Sequence, residues 1–94
     1  MIGLASVVRI SSKARLRFDR HSQKHMLLYP ERGLLLSDSA ADILALCTEA
    51  RSVSAIVETL VNKYGETSRD EIAVDVVGVL SGLADRGLID EVST

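Results

Sequence analysis

Two apolar runs flank a proline in residues 27–36, which have the sequence Leu27-Leu28-Tyr29-Pro30-Glu31-Arg32-Gly33-Leu34-Leu35-Leu36. Pro30 has no backbone N–H to donate to a sheet, so it predicts the end of one strand and a turn at Pro30-Glu31. Two short strands, over 25–29 and 32–36, are therefore expected. Because consecutive strand residues point to opposite faces, at least one of the leucines at 34–36 should face away from the core.

The segment before this stretch predicts another strand. Arg15-Leu16-Arg17-Phe18 alternates polar and apolar residues, so Leu16 and Phe18 should point inward. The polar residues 19–24 then have the length of a hairpin loop. Residues 1–12 form an N-terminal arm for which we predict no element and allow flexibility, and residues 13–94 form one domain.

Three helices are expected after the strands. Ser37-Asp38-Ser39 precedes the first, over Ala40 to Cys47. The second has the clearest helical spacing, with Gly65 expected as its left-handed terminator and with apolar positions at Val53, Ile56, Val57, Leu60, Val61 and Tyr64. A capping box at Ser68 to Glu71 opens the third, which should end at Gly87. Three short antiparallel strands followed by three helices predict an α+β, winged helix-turn-helix-like fold.

The third helix has more than one apolar surface. Its core face comprises Ile72, Val76, Val79, Leu80 and Leu83, and a flank of smaller residues comprises Ala73, Val74, Val77, Ser81 and Ala84. Gly78 and Gly82 lie on yet another side of the helix. Each lowers helix stability by roughly 1 kcal/mol relative to Ala. Either the sheet and the other helices cover both surfaces, or part of the flank is open to a partner.

Composition restricts the possible functions. The 94 residues include one cysteine and three aromatic residues, and they contain no nucleotide-binding or nucleophile-elbow motif. Cys47 falls at an apolar helical position, which predicts a structural thiol in a reducing, cytoplasmic compartment. His21 and His25 flank the hairpin loop rather than sharing a helix face, so we expect no metal. No apolar run is long enough to cross a membrane, no cofactor is expected, and no catalytic group is evident.

Charge is divided unevenly along the chain. Residues 1–32 carry seven basic and two acidic residues, whereas residues 33–94 carry four basic and eleven acidic ones. A winged helix suggests DNA binding, but the third helix has two basic against four acidic residues, which opposes approach to phosphates. We therefore expect that the protein does not bind nucleic acid. The alternative is a DNA-binding regulator that uses the basic hairpin. Exposed strand edges also permit a homodimer.

The sequence resembles the pyrroloquinoline quinone (PQQ) biosynthesis protein D family, PqqD. The resemblance begins with the 27–36 segment, Ser39-Ala40 and Ile43-Leu44. Over about residues 13 to 89 it includes Arg15-Leu16-Arg17-Phe18-Asp19, Arg51-Ser52-Val53, Ile56-Val57, Leu60, Asp75-Val76, Leu80, Leu83 and Gly87-Leu88. The chain departs from the family where an Asp-Gly pair often follows the first helix, because Thr48-Glu49-Ala50 stands there.

The resemblance implies a non-catalytic peptide chaperone. Such a protein binds a ribosomally made precursor peptide and presents it to a radical S-adenosylmethionine (SAM) enzyme that joins a Glu to a Tyr. Related domains serve other modified-peptide pathways, which is a second alternative. They usually add the leader peptide as a strand beside the third predicted strand, near the third helix. The expected peptide-binding residues are Arg32, Gly33, Leu34, Leu35 and Leu36 on that strand, with Val74, Val77, Gly78 and Ser81, chosen by helical geometry, on the third helix.

Overall fold

Six strands and three helices make up the described part of the chain, residues 2–30 and 32–92 of a computed structural model. The strands are β1 (Val7–Ile10), β2 (Arg15–Asp19), β3 (Lys24–Tyr29), β4 (Arg32–Leu35), β5 (Arg51–Ser52) and β6 (Ile89–Glu91). The helices are α1 (Asp38–Ala45), α2 (Val53–Lys63) and α3 (Arg69–Asp85). The expected α+β class is confirmed, and the three predicted strands correspond to β2, β3 and β4.

The N-terminal arm contains a strand that the sequence did not reveal. β1 is the centre of a three-stranded antiparallel sheet with the order β5-β1-β6, so part of the 1–12 segment is structured. Its partners are two and three residues long and lie far along the chain, so no local alternation marks them. Leu88 and Ile89, which follow α3, are buried, and Ile89 is the first residue of β6.

The second sheet has the order β2-β3-β4, and all neighbours are antiparallel. Leu16, Leu27 and Leu34 form one cross-strand row, in which Leu27 is completely buried. Phe18 departs from the expected inward burial, because its side chain is 49% exposed. It lies at the hairpin end of the sheet, where its ring meets that of His25 edge-on at 5.1 Å between centroids.

Each helix begins with a serine cap. The hydroxyl oxygens of Ser37, Ser52 and Ser68 accept hydrogen bonds from amides three residues later, at 3.2, 3.1 and 3.2 Å. Since the cap of α1 is Ser37, this helix starts two residues earlier than predicted. The prediction of a left-handed Gly65 is wrong: α2 ends at Lys63 with Tyr64 as its C-cap, and Gly87 after α3 is the described glycine with a positive φ, +74°.

The three helices and both sheets share one aliphatic core. α3 contributes Ile72, Val76, Leu80 and Leu83 to it, while Val79 is only partly buried at its margin. Cys47 follows α1 and is completely buried, and its thiol donates to the carbonyl of Ile43 at 3.3 Å. Within the described ranges, no helix has both the length and the apolar character needed to cross a bilayer.

Candidate functional site

β4 is an edge strand, and its outer side is unpaired among the described residues. The amide of Leu36, just after β4, donates to the carbonyl of His25 at 3.0 Å. In an antiparallel ladder the direction of the backbone groups alternates, so Leu34 and Arg32 also direct their N–H and C=O groups toward β3. Gly33 and Leu35 therefore direct theirs toward the open edge, where another strand can pair.

The leucines of this edge divide between the two faces of the sheet. Leu36 is buried and Leu34 packs against the core, whereas Leu35 points to the opposite face and is 58% exposed. The expectation that one of the three faces away from the core is confirmed. Leu35 thus offers an apolar contact directly beside the open backbone groups.

Gly33 allows two neighbouring side chains of β3 to cover the start of β4. A Cβ atom at Gly33 would lie 2.8 Å from Met26 Cε and 3.0 Å from Leu28 Cδ2. Both atoms are the ends of side chains, so a larger residue here would displace them outward. Without a side chain at position 33, the backbone at the open edge stays accessible to a partner strand.

A groove of about 330 Å³ separates this edge from α3. On the β4 side it is bordered by Leu34, Leu35 and Leu36, and the adjoining Ser37 and Ala40 close the end near α1. On the α3 side it is bordered by Gly78, Val79, Gly82, Leu83 and Arg86. The two glycines are exposed, and a Cβ atom at either would meet nothing within 4 Å. The α3 wall is therefore open backbone for one full turn.

The structure brings together some of the predicted site residues and separates others. Leu34, Leu35, Leu36 and Gly78 border the groove, and Gly33 lies on its open edge. Arg32 borders an adjoining pocket that shares Arg86 with the groove. The remaining predicted residues, Val74, Val77 and Ser81, are not among the lining residues of the groove.

The predicted wall of α3 is displaced around the helix from the observed one. At 100° per residue, Val77 and Ser81 lie on the side of the core face opposite to Val79 and Gly82. Val77 packs against the hydrophobic core, and Val74 is 71% exposed. The α3 residues of the groove that the sequence pattern did not predict are Val79, Gly82, Leu83 and Arg86. The available signal was the pair of mid-helix glycines, since their cost in helix stability needs a compensating use.

Titratable groups lie outside the groove for the most part. Burial raises the pKa of the Cys47 thiol from its usual 9.0 to about 11, partly opposed by the charge of Arg51. The hydroxyl of Ser22 and the amide of His21 donate to Asp19 in the β2–β3 turn and lower the pKa of its carboxyl group.

No group of three potential metal-ligating side chains occurs within residues 2–30 and 32–92. The first turns of α3 expose Asp70, Glu71 and Asp75, so this helix presents negative charge.

An open sheet edge beside an uncovered helix wall is the arrangement found in a known class of protein, the domains that bind an extended peptide by strand addition. The family model described as "Coenzyme PQQ synthesis protein D (PqqD)" matches residues 24–89. The chain belongs to the PqqD family, as the sequence resemblance indicated.

Relatives of known description agree with this assignment. A "PqqA binding protein" of Rhodopseudomonas palustris strain BisB5 is 47% identical over 87 residues, which span 93% of this chain and 84% of the relative. The "Bifunctional coenzyme PQQ synthesis protein C/D" of Methylorubrum extorquens is 35% identical over 92% of this chain and 23% of its own length.

A solved structure has the same fold. It is the solution structure of the PqqD truncation of Methylobacterium extorquens PqqCD, described as a functional, stand-alone recognition element for ribosomally synthesized and post-translationally modified peptides. It superposes with a TM-score of 0.82 at 33% identity and covers 96% of this chain and 95% of its own. The fold therefore exists as an independent recognition domain in a relative.

Proposed function

We propose that this chain is a non-catalytic peptide chaperone of PQQ biosynthesis that binds the precursor peptide PqqA. The names of the relatives support PqqA as the ligand. The binding mode is supported by the outward backbone groups of Gly33 and Leu35, which lie beside the glycine wall of α3, formed by Gly78 and Gly82. The peptide lies as an added antiparallel or parallel strand on β4. This mode needs no reactive side chain, because the affinity comes from backbone hydrogen bonds and apolar contacts.

The open edge of β4 favours a strand rather than a helix as the bound form of the peptide, because only a strand pairs with the outward backbone groups. A strand paired with β4 lies about 4.8 Å from it, whereas a helix with its side chains is about 10 Å across. Alternate peptide side chains then point toward the two faces of the sheet. In this proposal one set contacts Leu35, and the other points toward the open space beside Gly78 and Gly82.

The same geometry supports presentation to a second protein. A strand added to β4 uses one of its own edges and leaves the other unpaired, so the bound peptide is extended and still accessible. The recipient in our proposal is the radical SAM enzyme of the pathway, acting in the cytoplasm.

A homodimer formed through β4 would occupy the same edge, so precursor peptide should dissociate it. Light scattering of the chain with and without peptide measures this directly.

Isothermal titration with the PqqA peptide encoded in the same genome tests the proposed function. Wild-type protein should bind one peptide per domain, and Leu35→Asp should lose most of the affinity because it places a charge in the groove. Phe18→Asp is the matched control, since Phe18 is also about half exposed on this sheet but lies on β2 and does not border the groove.

Backbone pairing can be tested in the same samples. In amide exchange, peptide should protect the amides of Gly33 and Leu35 and leave the amide of Leu36 unchanged, because Leu36 is already bonded to His25. Binding without protection at Gly33 and Leu35 contradicts strand addition. Saturable binding of a different leader peptide but not of PqqA would assign the domain to another modified-peptide pathway.

A further inference from the structure

Beside the groove, three cationic side chains from separate parts of the chain border one pocket of about 620 Å³, here called the basic pocket. Lys13 comes from the turn between β1 and β2, Arg32 is the first residue of β4, and Arg86 caps α3. Tyr29, Pro30 and Leu88 provide its apolar surface. Arg86 borders both the basic pocket and the groove, so the two adjoin at this residue.

The positive charge of this pocket is not neutralised within the described residues. The described residues form two ion pairs, Lys63–Asp42 and Arg69–Glu58, and both lie outside the pocket. No described carboxylate approaches the three cations within 4.0 Å. The carboxyl end of α3 contributes only about half a negative charge. Three neighbouring cations repel one another, so an anion entering the pocket is stabilised by all of them.

The spacing along both walls connects the pocket to a bound peptide. From Leu36 to Arg32 the strand covers four residues, about 13 Å. From Gly78 to Arg86 the helix covers eight residues, about 12 Å. A peptide strand paired with β4 therefore extends from the leucine contacts to the cations within about four of its own residues.

We propose that the basic pocket binds a carboxylate of the peptide that occupies the groove, about four peptide residues from its contact with Leu36. This inference rests on the proposed function. A ribosomally made peptide carries carboxylates only on Asp and Glu side chains and at its C-terminus. The guanidinium groups of Arg32 and Arg86 can each bind such a group through two parallel hydrogen bonds, which makes the pocket selective for carboxylate geometry. The pocket thereby sets the register of the peptide along β4.

The test is a set of titrations at low salt with synthetic PqqA peptide. The protein variants are Arg32→Gln and Lys13→Gln, with Arg20→Gln in the exposed β2–β3 turn as a control for the same loss of charge. Each pocket variant should weaken binding about fivefold, and the control should change it less than twofold. Equal thermal melting curves exclude unfolding as the cause.

Peptide variants then identify the carboxylate. Each Asp or Glu of the peptide is replaced by Asn or Gln in turn, and one further peptide has an amidated C-terminus. The peptide that lacks the bound carboxylate should bind wild type and Arg32→Gln equally, because the lost interaction is shared. If wild type binds peptide and both pocket variants bind it as tightly, the inference is wrong and the proposed function stands. If wild type binds no PqqA peptide, both fail.

Discussion

Gly78 and Gly82 lie one turn apart on α3, and at neither position would a Cβ atom meet another atom within 4 Å. Packing therefore does not require glycine at either site, and both border the groove. Glycine in a helix interior is less favourable than alanine by about 1 kcal/mol, so these two positions lower the stability of α3. The open wall they provide for a peptide is the structural reason we assign to them.

Gly82→Ala and Gly82→Leu separate stability from binding. Both variants should raise the free energy of unfolding, Gly82→Ala by about 1 kcal/mol, because each replaces a poor helix former with a good one. Gly82→Leu should lose most of its affinity for precursor peptide, since its side chain fills the groove. Urea unfolding and peptide titration measure the two effects. A Gly82→Leu protein that is more stable and binds peptide normally would show that the peptide does not contact this wall.

Gly87 ends α3 in a conformation that other residues rarely adopt. Its φ is +74°, and a Cβ atom there would lie 3.3 Å from Lys13 Nζ. Gly87→Ala should therefore lower the free energy of unfolding by about 1–2 kcal/mol. Gly65→Ala is the matched control, because Gly65 has no positive φ and open space around it. Equal unfolding free energies for the two variants would contradict the strain at position 87.

Local patterns account for much of the fold. Alternation in Arg15 to Phe18 and the proline at position 30 predicted β2, β3 and β4, and helical spacing predicted α1 to α3. The sheet formed by β1, β5 and β6 could not be found in this way. Its pairs join Val7 to Ser52 and Arg9 to Asp90, so its stability comes from contacts distant in sequence, and two strands are too short to show a period.

The candidate site was only partly predictable for a related reason. The leucines at 34–36 predicted that at least one of them faces away from the core, because strand alternation is local, whereas the resemblance to the PqqD family implied that this strand receives the peptide. Helical geometry showed where Val77 and Gly82 lie around α3 but not on which side of the helix the edge of β4 comes to rest. That position depends on how the whole sheet packs against the helices. Of the predicted α3 residues only Gly78 therefore borders the groove, whereas Val74, Val77 and Ser81 do not.

The serine caps provide a prediction about helix stability. The hydroxyl oxygen of Ser68 accepts a hydrogen bond from the amide of Glu71, which otherwise has no partner within α3. Ser68→Ala should lower the free energy of unfolding by about 1 kcal/mol. Ser54→Ala, at an exposed position inside α2, should leave it unchanged or raise it slightly. Thermal or urea unfolding of the two variants, measured together, distinguishes a capping effect from a general effect of removing a hydroxyl group.

Because of the buried thiol, the free energy of unfolding should decrease as the pH rises into the alkaline range. Burial raises the pKa of Cys47 from 9.0 to about 11, so the folded chain holds this proton more tightly than the unfolded chain. The resulting stability is fully present below pH 9.0 and is lost as the pH rises toward 11. At pH 10 this single group should lower the free energy of unfolding by about 1.4 kcal/mol relative to pH 8.

Urea unfolding at pH 8 and pH 10 measures this effect, with Cys47→Ala as the control. The variant is less stable at both values because it leaves a cavity, but it should lose less stability between them than wild type does. The difference between the two losses isolates the thiol from the lysines and tyrosines that also titrate in this range. In native protein at pH 8, a thiol reagent should label Cys47 more than about 100-fold more slowly than in urea, because two pK units alone reduce the thiolate fraction by that factor and burial also blocks access of the reagent. Equal pH dependence in the two proteins, together with rapid native labelling, would mean that Cys47 is accessible to solvent.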